Sequence, residues 1–330
     1  MGKNDIAVRK WLSDKERFSD VCNAVLFGGE QVVLAEDLER ADSESAIIIT
    51  DKKGKSRGVK RYRDIVMRWK YGAELVLLAC ENQDKIHYAM PVRNMIYDGL
   101  AYAEQIDRMW QERKKEKETV TEEEFLSRMK KDDKLNPVIT LVFYYGEKEW
   151  DGSRNLHEMF RKSKVEGVGR MISKYIPDYH INLIDASEPE NLHAFHSDLQ
   201  LILGMLQYRD RKEALVGYVN EHREYFSRLD IDTYRAVQAF LNSETKLKRV
   251  MKDDSGKERI DMCKALRDLY EEGVDQGIEK GIEKGIEKGI KELIMKKYKK
   301  GVPIEEIADF VEMPYEKVRG IAEESNTLRE

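Results

Sequence analysis

VITLVFYYG, at residues 138–146, is an apolar run set between a proline and a charged segment. Its length and its β-branched and aromatic content predict a strand buried on both faces. Two more apolar runs, DIVMRW at 64–69 and ELVLLAC at 74–80, have Lys70-Tyr71-Gly72 between them, short enough for a β-hairpin. AIIIT at 46–50 predicts a further strand, followed by a Lys/Gly/Ser turn region, and YHINLID at 179–185 predicts another. Near the N-terminus Ile6, Val8, Trp11, Leu12, Phe18, Val21, Val25 and Leu26 recur as on one or two amphipathic helices that stop at Gly28-Gly29. Pro91 suits a first helical turn, and Val92, Met95, Ile96, Leu100, Ala103 and Ile106 follow at helical spacing. Helical patterns dominate after residue 150 and fill 187–270, so the pattern as a whole predicts a mixed α/β protein with helical additions.

Three segments depart from this amphipathic plan. Residues 107–134 hold nine acidic and nine basic side chains, a balance that predicts a solvated helical excursion or lid. Residues 273–292 repeat Gly-Ile-Glu-Lys with a period of four. Each glycine costs a helix about 1 kcal/mol relative to alanine, and the i,i+4 neighbours are Glu over Glu and Lys over Lys. A stable lone helix is therefore not expected. Either the segment is a flexible charged linker, or it orders by pairing with the same segment of a second chain to give a homodimer. Beyond it, helices at about 303–311 and 315–323, joined at Glu312-Met313-Pro314, give a helix-turn-helix-like outline. Ile304, Ile307, Ala308, Val311, Val318 and Ile321 would be its core. Its second helix is not clearly basic, so a packing or oligomerisation role stands beside a DNA-reading one.

The net charge of −5 supplies no global attraction for polyanions, which makes local clusters of Lys and Arg decisive. Cys22, Cys80 and Cys263 form no CxxC pair, which predicts a reduced, cytoplasmic protein without a thiolate metal site. The charged opening MGKNDIAVRKWLSD predicts no secretory segment, and the sequence has no apolar stretch of the roughly 18 residues that a membrane helix requires.

One such cluster precedes the hairpin. Residues 51–63, DKKGKSRGVKRYR, carry seven cations (Lys52, Lys53, Lys55, Arg57, Lys60, Arg61 and Arg63) against one acid. If 64–69 pairs with 74–80, Asp64 and Glu81 fall at the same end of the hairpin, where two carboxylates repel unless a cation lies between them. Gln83, two residues after Glu81, shares its face by strand alternation. Oxygen donors of this kind suit Mg²⁺ or Mn²⁺ and disfavour zinc. Cations that grip a polyanion beside carboxylates that hold a metal are what phosphodiester cleavage requires. Acids that merely face water, next to a solvated basic loop, are the plainer reading of the same residues.

RYRDIV at 61–66, LLACENQ at 77–83, YAMPVRNMIYDGLAYAEQI at 88–106 and NPVITLVFYYGEKEWDG at 136–152, in this order and spacing, resemble the Rpn family of recombination-promoting nucleases, also described as transposases, within the PD-(D/E)XK nuclease superfamily. The resemblance covers roughly residues 1–185, and the repeat with its helical tail also looks like the ends of many members. It implies a restriction-endonuclease-like core of αβββαβ type, a mixed central sheet flanked by helices, followed by a helical C-terminal region. The implied organisation is a nuclease-like domain at 1–185 with 107–134 inserted, a helical region at 186–270, the repeat at 271–294 and the helix-turn-helix-like tail at 295–330.

The implied activity is Mg²⁺- or Mn²⁺-dependent endonucleolytic hydrolysis of DNA in recombination or transposition. By position, Asp64 and Glu81 match the two metal-holding acids, and Gln83 stands where the superfamily usually has lysine. Asp5 looks like the Asp of an N-terminal His-Asp pattern, although Asn4 replaces the histidine. Arg63 stands where the superfamily often has proline. Replacement of lysine by Gln83 removes a cation from the chemistry; Lys85 is a candidate substitute, and Arg93 on the following helix a candidate phosphate clamp. The competing expectation keeps the fold and drops the catalysis, leaving a weak or inactive DNA-binding accessory oligomer of a mobile element or defence system.

Overall fold

The computed structural model describes residues 3–41, 44–50, 56–62, 65–80, 86–162, 164–165, 167–241 and 259–324, and the chain divides into two compact units, 1–264 and 265–330. The first unit opens with helices α1 (Lys3–Leu12) and α2 (Lys15–Leu26). They are separated where the Asp14 carboxylate accepts the N–H groups of Glu16 and Arg17 at 3.1 and 3.2 Å, satisfying donors that a helix start leaves open.

The strands are β1 (Leu38–Arg40), β2 (Glu44–Thr50), β3 (Ser56–Tyr62), β4 (Ile65–Trp69), β5 (Ala73–Cys80), β6 (Val138–Tyr144) and β7 (Asn182–Asp185). Five of them form one sheet in the order β1-β4-β5-β6-β7. Its first two pairings are antiparallel, and β5, β6 and β7 run parallel. The mixed α/β class expected from the sequence is therefore what forms. β2 and β3 make a separate two-stranded antiparallel ribbon. This corrects the turn expected after residue 50: residues 56–62 are a strand, so Arg57, Lys60 and Arg61 sit on a ladder opposite Ile49, Ala46 and Ser45.

Helices α3 (Met90–Glu116), α4 (Glu122–Ser127), α5 (Val168–Tyr175), α6 (Leu199–Leu206), α7 (Lys212–Glu221), α8 (Arg223–Phe226) and α9 (Ile231–Phe240) complete the first unit's longer elements. β6 explains its unbroken apolar run by being covered on both sides. On one side Val138, Val142 and Tyr144 pack with Met90, Tyr97, Leu100 and Ala101 of α3. On the other, the rings of Phe143 and Tyr145 lie 6.3 and 5.3 Å from Phe240 of α9, which meets Trp11 of α1 at 5.7 Å. The one polar side chain inside the strand, Thr140, is satisfied by the Asp98 carboxylate at 2.5 Å. Tyr179 also donates to Asp98, and burial, then that bond, pushes the Tyr179 hydroxyl pKa up. Thus α3, β6 and the approach to β7 are joined by one buried carboxylate.

The charged segment 107–134 folds back on itself. Trp110 is buried with its ring 5.7 Å from Phe125, and Thr121 with Glu124 forms a capping box at the start of α4. Arg113 pairs with Asp133, Lys130 with Glu118 and Arg128 with Asp107, so these six charged side chains find partners within the segment.

The second unit contains most of α10 (Met262–Lys299) and all of α11 (Ile304–Val311) and α12 (Tyr315–Glu324). Ile294, Ile307, Ala308, Val318 and Ala322 form its buried core, with Ile290, Tyr298 and Ile321 packed against it. Of the two alternatives for the Gly-Ile-Glu-Lys repeat, a flexible linker or an ordered helix, the structure has the helix, because α10 is continuous through the whole repeat. Packing of its C-terminal end extends a helix whose local propensity is poor. Where the repeat ends, Lys291 replaces the expected Glu and reaches Glu287 at 3.1 Å, turning a repulsive i,i+4 pair into an attractive one.

Candidate functional site

The hairpin forms in the register the spacing implies, with Ile65 opposite Leu77 and Trp69 opposite Ala73. Gly72 adopts φ 85°, the left-handed geometry a three-residue turn requires, and its N–H bonds the Trp69 carbonyl at 3.0 Å. The Lys70 ammonium in that turn pairs with the buried Asp37, which raises the Lys70 pKa. The turn is thereby pinned to the segment that leads into β1. β5 continues to Cys80, alongside Tyr144 of β6.

Asp64, Glu81 and Gln83, the expected metal-holding and orienting groups, lie outside the described residues, as do Lys52, Lys53, Lys55, Arg63 and Lys85. Asp5 lies on α1, and Arg57, Lys60 and Arg61 lie on β3. Among the described residues, no group of three His, Cys, Asp or Glu is placed to hold a metal ion.

Arg93 is the expected DNA-contact residue whose side chain is described. One helical turn separates it from Tyr97, so the two share a face of α3. The guanidinium lies 5.4 Å from the Tyr97 ring centroid, and its Nε donates to the phenol oxygen at 3.3 Å. Stacking plus a hydrogen bond fixes the plane of the fork, which is the preorganisation an anion clamp needs. Both residues line a cavity of about 400 Å³ together with His87, Ala89, Val92 and Ile96. The Arg93 guanidinium in its lining is a group that suits an anionic guest. Next to Arg93, Asn94 is fully buried, and neither of its amide atoms has a hydrogen-bond partner among the described residues.

Sequence reasoning passed over Asn94 and Asp98, because a polar residue inside an amphipathic helix looks like surface until the opposing strand is placed. The hydrophobic neighbours Val92 and Ile96 are visible in the helical pattern, but as core. Ile96 is 45% exposed, and it borders the cavity.

A mixed sheet with helices against it places the chain in the mixed α/β class. Residues 93–234, under half of the 330, match the family described as Putative transposase, YhgA-like. No curated protein and no solved structure matches this chain. The matched stretch begins at Arg93 and ends in α9 at Tyr234, and so runs through α3, β6 and β7, the elements around the buried Asp98. Among the described residues, no helix is long and apolar enough to cross a membrane.

Proposed function

We propose that the protein is a metal-dependent DNA endonuclease of transposition or recombination, built on a PD-(D/E)XK-like core. The observation that carries this reading is the transposase-family match over residues 93–234. Its support in the chain is the order of chemistry along it: a basic segment at 52–63, a carboxylate at each end of the β4-β5 hairpin sequence, and an arginine-bearing cavity on the next helix. The donor set of Asp64 and Glu81 is all oxygen, which fits Mg²⁺ or Mn²⁺. A bound Mg²⁺ would supply Lewis-acid polarisation of the phosphate and a more acidic water. Gln83 would orient that water through its amide, and Arg93, held flat by Tyr97, would clamp a neighbouring phosphate.

A second reading keeps DNA binding and drops the cleavage, favoured by glutamine at position 83, where a lysine would supply positive charge to the transition state. Incubation of the purified full chain with supercoiled plasmid, in Mg²⁺ or in EDTA, separates the two. Nicking with Mg²⁺ alone supports the nuclease; retained binding with no nicking in Mg²⁺ or Mn²⁺ supports the accessory protein.

A further inference from the structure

Helix α5 and the residues that lead into it carry a surface that the site described above does not use. Val165, Met171, Tyr175 and Ile176 are 67, 48, 68 and 36% exposed, although each is a large apolar side chain. Residues 161–176 also hold five cations, Arg161, Lys162, Lys164, Arg170 and Lys174, against one acid, Glu166, in a chain whose net charge is −5. Among the described residues none of the five has an ion-pair partner. The Lys174 ammonium lies instead 5.2 Å from the Tyr175 ring centroid.

Helical spacing decides which of these groups act together. Successive residues are about 100° apart, so Val168 and Ile172 share the centre of an apolar stripe while Met171 and Tyr175 fall on one flank of it. Val168 and Ile172 are half-buried, and the flank is open. Arg170 and Lys174, one turn apart, border that flank. The outward surface of α5 is therefore a thioether and an aromatic ring beside two cations. A second copy of the chain would bring the same positive charge to it, which repels. A bilayer takes up the centre of an apolar stripe, and here that centre is turned toward the protein. A DNA duplex offers phosphates but keeps the faces of its bases inside the stack, out of reach of Met171 and Tyr175. An unpaired strand offers both at once, phosphates to the cations and base faces to the ring and the thioether.

Topology puts this surface on the same side of the sheet as the Arg93 cavity. β5, β6 and β7 are adjacent and parallel in that order, so α3 and α5 are successive crossovers that step in one direction, and right-handed crossovers of that kind lie on one face. Tyr179, just beyond α5, donates to Asp98 of α3, the neighbour in sequence of Tyr97. We propose that α5 and its lead-in hold an unpaired strand of the DNA, with the cations on its phosphates and Tyr175, beside Met171, against a base. DNA as the ligand rests on the function proposed above; the form of that DNA is the new element, a fork, gap or flap rather than an uninterrupted duplex.

Binding of the full chain in EDTA to two labelled DNAs, a blunt duplex and the same duplex with a single-stranded arm, tests the assignment. The wild type should bind the armed duplex about tenfold more tightly, the effect of about one base stack. Tyr175→Ala with Met171→Ala should reduce that affinity to the level of the blunt duplex, whereas Tyr175→Phe, which keeps the ring, should retain the preference. Arg170→Gln with Lys174→Gln should lower the salt dependence of binding to the arm by about 0.7 unit of log–log slope for each phosphate no longer neutralised. Equal wild-type affinity for the two DNAs, a preference that survives in the Tyr175→Ala, Met171→Ala variant, or a preference lost in Tyr175→Phe overturns the proposal. So does binding to phosphatidylserine vesicles that the same double variant abolishes while it still prefers the arm. Plasmid nicking in Mg²⁺ is read separately: a chain that cuts without the preference sinks the strand assignment alone, and one that prefers the arm without cutting sinks the cleavage alone.

Discussion

Arg17 and Asp198, 181 positions apart, form a two-point ion pair, Nε to Oδ1 at 2.8 Å and Nη2 to Oδ2 at 2.9 Å. The Tyr225 hydroxyl donates to the same carboxylate at 2.6 Å, and the Arg17 guanidinium stacks over Trp11 at 4.8 Å. Helices α1, α2, α6 and α8 are thereby tied through one anion. Both partners are about one-fifth exposed, so the pair is worth more than a surface contact and less than a fully buried one. Asp198→Ala should cost about 2 kcal/mol, because it strands a guanidinium and a phenol at once. Urea unfolding measures it, and a loss under half that size would remove the pair from the stabilising framework.

Asp230 caps α9, accepting the N–H groups of Asp232 and Thr233 at 2.9 Å each and the Thr233 hydroxyl at 2.6 Å. Burial raises its pKa, but the Thr233 bonds and the Arg17 charge outweigh burial and leave it below the ordinary carboxylate value. A depressed folded pKa contributes stability above the unfolded value of about 4, lost as pH falls through the folded one. Asp230→Ala should cost about 1 kcal/mol at neutral pH and much less at pH 2, which thermal unfolding across pH reads directly. An equal cost at both pH values would mean that the charge plays no part in the cap.

The nuclease reading makes residue-specific demands. Asp64→Ala and Glu81→Ala should each abolish Mg²⁺-dependent nicking of plasmid while circular dichroism stays unchanged. Undiminished cleavage by either variant removes that residue from the metal site. Gln83→Lys restores the cation usual at that position and should speed cleavage; an unchanged rate places Gln83 away from the chemistry.

Neutralising Lys52, Lys53, Lys55 and Arg57 together should weaken DNA binding about equally for all sequences. It should also flatten the salt dependence by close to one unit of log–log slope for each phosphate no longer neutralised. A slope equal to that of the wild type would return these residues to the solvated surface.

Arg93→Leu should reduce DNA affinity about tenfold with little change in stability, since it removes a charge-assisted contact from a cavity rim. Tyr97→Phe keeps the stacking ring and removes the hydrogen bond that orients the guanidinium, so it should have a smaller effect in the same direction. Full affinity in the Arg93 variant would leave the cavity without a role in DNA binding.

By itself the sequence determined the elements whose cause is local. The unbroken run at 138–144 required cover on both faces, Lys70-Tyr71-Gly72 closed a hairpin, Pro91 opened a long helix, and the two short tail helices carried their own small core. The placement of the basic cluster ahead of the hairpin was legible too, although its second half is strand rather than turn. SRGVKRY, the sequence of β3, shows no apolar alternation from which to read a strand.

Tertiary structure decided the rest. Asp98 became a buried junction only because folding brought Thr140 and Tyr179, 42 and 81 positions away, to its two oxygens. Arg93 became a candidate clamp because Tyr97 supports it beside a cavity. The repeat became a helix against its own propensity because Ile290 and Ile294 packed its end onto α11 and α12. Periodicity reports how each residue relates to its near neighbours along the chain, whereas a hydrogen bond between distant side chains depends on which faces meet, and only the assembled core fixes that.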